Sequence, residues 1–199
     1  MGGEVPMAFP KWLSSKSGIW ITWVLATTVA WGLEQWGFTG FFGGALLGTF
    51  QWLVLRRVIT KAAWWIVATA LAMPIGSLAT LVILMALGDP SPPIGVMANG
   101  AGFVGTVLTS GIIVGAAQCL VLQGKVPNAG WWIGATAGGT ALYQTTLFLG
   151  REWWSDSPSM YLLVLAIAAV VAAVVTGGAL VWLLQKKGQW SDVQSSVDG

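Results

Sequence analysis

Gln51, Gln118, Thr27, Thr69, Thr136 and Glu34 are the side chains whose type and spacing could carry chemistry in this chain. Five of them are uncharged amides and hydroxyls set inside apolar runs, a set suited to hydrogen bonding rather than to proton transfer. Either they fix helix register by interhelical bonds, or they form a polar ring that binds a headgroup, an ion or a pigment. Glu34 lies near the end of an apolar run, beside Gln35 and Trp36. A carboxylate at membrane depth is a candidate proton or cation site, and one near the surface is also satisfied by water. Tyr143 and Gln144 fall near the comparable level and could complete a polar patch there.

The missing residues narrow the chemistry further. The chain has no histidine, which removes the commonest general base and the usual protein ligand of haem. Its single cysteine, Cys119, cannot form an intramolecular disulfide and reads as a small buried filler. No phosphate-binding loop, zinc-protease signature or Ser-His-Asp set is present, so no catalytic residue, metal site or cofactor is assigned. The chain reads as a non-enzyme.

The spacing of the polar residues is duplicated. Residues 44–70 and 111–137 are identical at 13 of 27 positions without a gap, including Gly44/Gly111, Gly48/Gly115, Gln51/Gln118, Trp64/Trp131, Trp65/Trp132 and Thr69/Thr136. An internal repeat constrains architecture more strongly than any single residue. A shorter signature, Trp followed four residues later by Thr, occurs at Trp23–Thr27, Trp65–Thr69 and Trp132–Thr136.

These residues sit in a chain that is 56% hydrophobic and 8% charged, with 14 Trp and 27 Gly. Soluble domains carry about 25% charged residues, so this composition predicts an all-α integral membrane protein. A span needs about 20 apolar residues, and six spans are predicted, roughly 18–36, 38–55, 64–88, 99–123, 130–150 and 160–184. They are bounded by Arg56 and Arg57, by the proline-rich break at 89–93, by Lys125 and Pro127, and by Arg151 to Asp156. Pro74 is expected to kink the third. All lysines and arginines except Arg151 fall on one side of this arrangement, which predicts cytoplasmic termini. A cleaved leader is the competing reading of Lys11 and Lys16 before an apolar run. The net charge of +2 gives no footprint for nucleic acid.

The segmentation is then a cytoplasmic segment 1–17, a single six-span domain 18–187 and a polar cytoplasmic tail 188–199. The domain is predicted to be a six-helix transmembrane bundle of three helical hairpins, roughly 18–56, 64–123 and 130–187, related by a pseudo-threefold axis along the membrane normal. Gly40, Gly44 and Gly48, then Gly111 and Gly115, then Gly177, are the expected helix-packing positions, because small residues let helices approach closely in lipid. Trp64, Trp65, Trp131 and Trp132 are expected to anchor the inner interface, with Arg56 and Arg57 at lipid phosphates. Trp153 and Trp154 are the expected outer anchors. The polar layer is expected to be incomplete, since Leu180 occupies the position of a third glutamine.

The pattern GxxxGxxQWLVLRR, followed by Trp-Trp-Ile-x-Ala-Thr, resembles a set of uncharacterised Gly/Trp-rich polytopic membrane proteins of cyanobacteria and other bacteria. Gly44 to Thr69 carries the likeness, and Gly111 to Thr136 carries it less fully. It implies a bacterial inner or thylakoid membrane and brings no catalytic residue.

Three functional readings follow. The leading one is a non-enzymatic scaffold or accessory subunit that packs against lipid, partner membrane subunits or a second copy of itself. The alternatives are a small transporter or channel with a pathway between the hairpins, and a hydrophobic cofactor or pigment binder.

Overall fold

The computed structural model describes residues 15–34, 40–86, 110–154 and 157–186. The expected break at 89–93, the first half of the fourth expected span, both terminal segments, and the side chains of Glu34, Trp153 and Trp154 lie outside the described residues. Within them the fold is all-helical, with no strand. We number the helices α1 (Lys16–Glu34), α2 (Gly40–Leu55), α3 (Trp64–Ala86), α4 (Ile112–Leu122), α5 (Trp131–Trp154) and α6 (Pro158–Lys186). Each helix packs on its neighbours in chain order, and α6 packs back on α1, so the six close into a ring. α3 runs through Pro74 as a single helix.

Among the described residues two helices are long and apolar enough to cross a membrane: residues Trp64–Ile83 within α3, with mean hydropathy 2.1, and Ser159–Lys186 within α6, with mean hydropathy 2.6. α2 and the described part of α4 are apolar but shorter. α1 and α5 fall below them because Lys16, Glu34 and several Thr and Gly residues dilute their apolar content.

Close packing between successive helices rests on glycine. A Cβ built on Gly44 would lie 2.9 Å from the Ala70 Cα, and one on Gly48 would lie 2.9 Å from the Ile66 Cα. Sixty-seven positions later, a Cβ on Gly111 would lie 2.8 Å from the Ala137 Cα, and one on Gly115 would lie 3.0 Å from the Ile133 Cα. Backbone meets backbone at both junctions, leaving no flexible side chain to move aside. Gly177 packs instead against the indoles of Trp23 and Trp20. Gly40 departs from the expected packing row. Nothing lies within 4 Å of its Cβ position, and its φ of +62° opens α2 in the left-handed region.

The connections α2–α3 and α4–α5 share one backbone design. Ile59 N–H donates to Leu55 O at 2.8 Å, and Val126 N–H to Leu122 O at 3.1 Å. Lys61 (φ 55°) and Asn128 (φ 57°) then turn the chain through the left-handed region. Trp65 N–H and Trp132 N–H, each at 2.9 Å from the carbonyl oxygens of Ala62 and Ala129, start the next helix. Ile59, Ala62, Val126 and Ala129 are buried in one apolar cluster with Ile19, Leu55, Leu122, Leu183 and Leu184. That cluster seals the end of the bundle nearest these loops.

The interior is mainly apolar, and the exterior is apolar as well. Every helix turns a large apolar residue outward: Leu25, Phe42, Leu78, Leu120, Leu149 and Leu163, in order from α1 to α6. The buried polar side chains are Thr27, Gln51, Thr69, Gln118 and Gln144.

Candidate functional site

Three tryptophans, one from each odd-numbered helix, meet on the ring's interior. Trp23, Trp65 and Trp132 are buried and pack edge to face, with ring centroids 6.1, 5.7 and 5.4 Å apart. Such pairs contribute about 0.5–1.5 kcal/mol each beyond simple burial. A buried indole also carries an N–H that needs an acceptor, and each even-numbered helix supplies one. Trp65 Nε1 donates to Gln51 Oε1 at 2.9 Å, Trp132 Nε1 to Gln118 Oε1 at 2.9 Å, and Trp23 Nε1 to Thr176 Oγ1 at 3.1 Å.

The amide nitrogens then reach the preceding odd helix. Gln51 Nε2 donates to Thr27 Oγ1 at 3.3 Å, and Gln118 Nε2 to Thr69 Oγ1 at 2.9 Å. A longer contact, Gln118 Nε2 to Gln51 Oε1 at 3.4 Å, links the two glutamines. Gln51, Gln118, Thr27 and Thr69 therefore belong to one network. Thr136 does not join it through a glutamine. Its hydroxyl donates to Trp132 O at 2.9 Å and its side chain faces a cavity.

Trp65 and Trp132 correct the sequence expectation. They are interior donors, fully buried, whereas their neighbours Trp64 and Trp131 face outward with 62% and 67% exposure. Adjacent residues on a helix point about 100° apart, so a Trp-Trp pair at a helix start divides between core and surface. Arg56 is exposed and lies 5.1 Å over the Trp52 ring, while Arg57 is half-buried. Glu34 is the last residue of α1.

Sequence reasoning assigned no role to Thr176. Leu180 does occupy the glutamine's sequence position, and it is buried in the apolar cluster. The acceptor for Trp23 comes from Thr176, one helical turn earlier on the same face. The shift follows from the packing: Gly177 lies against Trp20 and Trp23, whereas Gly48 lies against Ile66 and Thr69, one turn further along its partner helix. A hydroxyl four residues from the vacant glutamine position was the available signal.

Beyond the Trp layer lies a cavity of about 280 Å³. Gln51, Gln118, Thr27 and Trp132 line it at the sealed end, Thr136, Thr140 and Thr176 along one wall, and Ser77, Ser110, Tyr143 and Gln144 further out. Among the described residues, no charged side chain lines it. Tyr143 packs edge-on against Trp31, with centroids 4.1 Å apart. Trp31 Nε1 is buried without a hydrogen-bond partner among the described residues. Gln144 is 7% exposed and likewise makes no hydrogen bond there. Such a lining can hold an uncharged hydrogen-bonding molecule. No family model matches the chain, and no curated protein or solved structure matches it significantly.

Proposed function

We propose that this chain is a non-enzymatic integral membrane protein that takes a small uncharged solute into its interior, as a carrier or channel does. The observation that carries this reading is an interior cavity lined by amides and hydroxyls together with Leu47, Met73 and Val114, inside a ring whose outer surface is apolar on every helix. Water would strip no benefit from such an exterior, but lipid would solvate it. All six helices cross the bilayer as three hairpins about a pseudo-threefold axis. The recurrence of the glycine, Trp-amide and loop contacts 67 positions apart supports that arrangement. Both termini and the two basic loops are cytoplasmic by the charge rule, which puts the Trp layer near the cytoplasmic face and the cavity above it. The membrane is a bacterial inner or thylakoid membrane, on the strength of the Gly44 to Thr69 likeness.

A cavity of this size falls just below the range of about 300–1,000 Å³ for drug-sized ligands, so the solute is small. The lining carries no charge among the described residues, which disfavours an inorganic ion, whose desolvation would go uncompensated.

The scaffold reading remains as a second proposal, favoured by one observation: the paired outward indoles Trp131 and Trp182 (centroids 6.3 Å apart), with Lys186 4.2 Å over Trp182, make an aromatic-basic surface at the loop end.

The test is solute flux in proteoliposomes containing the full chain. Urea, glycerol and lactamide should cross faster than in protein-free liposomes, and guanidinium and lactate should not. Equal rates with and without protein for all three uncharged solutes would refute the carrier reading and leave the scaffold.

A further inference from the structure

The cavity is not evenly lined. Two sides of the polar layer are filled by glutamine side chains that span from the Trp N–H of one helix to the Thr hydroxyl of another. On the third side stands Thr176, two heavy atoms shorter than glutamine. It accepts from Trp23 but makes no contact with Thr136 among the hydrogen bonds of the described residues. Its own hydroxyl hydrogen goes back to Ala172 O at 3.0 Å. The space that a third carboxamide would occupy lies against α5 and α6, with Gly139, Thr140 and Ala172 as its walls. Gly139 lets α5 approach α6 closely here, since a Cβ there would lie 3.1 Å from the Thr176 Cγ2 and 3.3 Å from Ala172 O. One turn above Thr140, roughly 6 Å along the helix, Gln144 lines the same cavity and makes no side-chain hydrogen bond to the described residues, so its amide is open to a ligand.

Resting on the solute-binding reading above, we propose that the ligand bears a carboxamide or urea-type group, which takes the place of the missing third glutamine amide beside Thr136 and Thr176. Its second polar end pairs with Gln144. Recognition requires both a donor and an acceptor on one uncharged planar group, as the two resident glutamines provide to their own partners.

The test uses the full chain in lipid nanodiscs and saturation-transfer NMR with three molecules of matched shape. Lactamide carries the amide, acetoin replaces its NH2 by a methyl, and lactate replaces the amide by a charged carboxylate. Saturation transfer above that of empty nanodiscs is expected for lactamide alone. Thr176→Gln should let the new amide accept from Trp23 and reach Thr136, and should reduce the lactamide signal to the empty-nanodisc level with the melting temperature unchanged or raised. Gln144→Leu removes no hydrogen bond to the described residues, so folding is retained, and lactamide binding should weaken roughly fivefold, the loss of one net hydrogen bond. Equal binding of acetoin, or lactamide binding unaltered in Thr176→Gln and Gln144→Leu, would overturn the carboxamide assignment while leaving a solute site. Binding of none of the three, with the space filled by water alone, would overturn the assignment. If urea and glycerol also failed to cross in proteoliposomes, the solute reading would fall as well.

Discussion

The α2–α3 junction and the α6–α1 junction solve the same problem with different parts. In both, a glycine-bearing even helix lies against a Trp-bearing odd helix and must satisfy a buried indole N–H. At α2–α3 the backbones nearly touch at Gly44 and Gly48, and Gln51 bridges Trp65 to Thr27. At α6–α1 the glycine meets indole rings rather than backbone, the helices are offset by a turn, and Thr176 satisfies Trp23 alone. A short hydroxyl fills the bonding requirement but not the volume. Thr176 borders the interior cavity, whose lining draws on all six helices.

This comparison predicts a graded response to substitution. The largest effect belongs to the close junctions. Gly44→Leu or Gly111→Leu forces a side chain into backbone less than 3 Å from the added Cβ, and overpacking costs about 1–3 kcal/mol or more. These variants should yield little monodisperse protein after detergent extraction, while Leu46→Ala should be recovered near the parent level. Recovery in the reverse order would break the claim that glycine approach holds the ring.

Next comes the glutamine side against the threonine side. Gln118→Leu removes the acceptor for Trp132 and the donor to Thr69, for a loss of about 2–3 kcal/mol. Thr176→Val removes one interhelical bond, the acceptor for Trp23, besides the hydroxyl's bond to Ala172 O within its own helix, for about 1 kcal/mol, using a net value near 1 kcal/mol per buried interhelical bond. If interhelical bonds follow the weaker membrane average of about 0.6 kcal/mol, both losses shrink but their order stands. Thermal melts in nanodiscs measure the two, and equal losses would remove the asymmetry.

The smallest effect concerns the loops. Lys61 holds a left-handed conformation that costs a non-glycine residue about 1–2 kcal/mol, of which the larger entropy loss of glycine on folding takes back about 0.5–1 kcal/mol, whereas asparagine tolerates it well. Lys61→Gly should therefore raise the melting temperature, and Asn128→Gly should leave it nearly unchanged. A gain confined to Asn128→Gly would show that the two loops do not share their design.

Much of this molecule was legible in its sequence, for identifiable reasons. The repeat made the Gly44/Gly111 and Gln51/Gln118 correspondences visible, because tight junctions tolerate few residue types. All-helical structure followed from long apolar runs broken by basic and proline-containing segments. The burial of Trp65 and Trp132 was not legible, since tryptophan serves equally as an interface anchor and as a core donor, and only the helix's rotation decides. Thr176 was hidden by the one-turn offset of α6 on α1, an outcome of three-dimensional packing that aligned sequence positions cannot register.

The central claim is that three interior indoles anchor a polar ring, and indole N–H exchange tests it most directly. In nanodisc-embedded protein transferred to deuterated buffer, with signals assigned by single Trp→Phe variants, the Nε1 protons of Trp23, Trp65 and Trp132 should persist long after those of Trp64 and Trp131 have exchanged. Thr176→Val should perturb the Trp23 signal far more than those of Trp65 and Trp132. Exchange of Trp23, Trp65 and Trp132 as rapid as that of Trp64 and Trp131 would contradict the account.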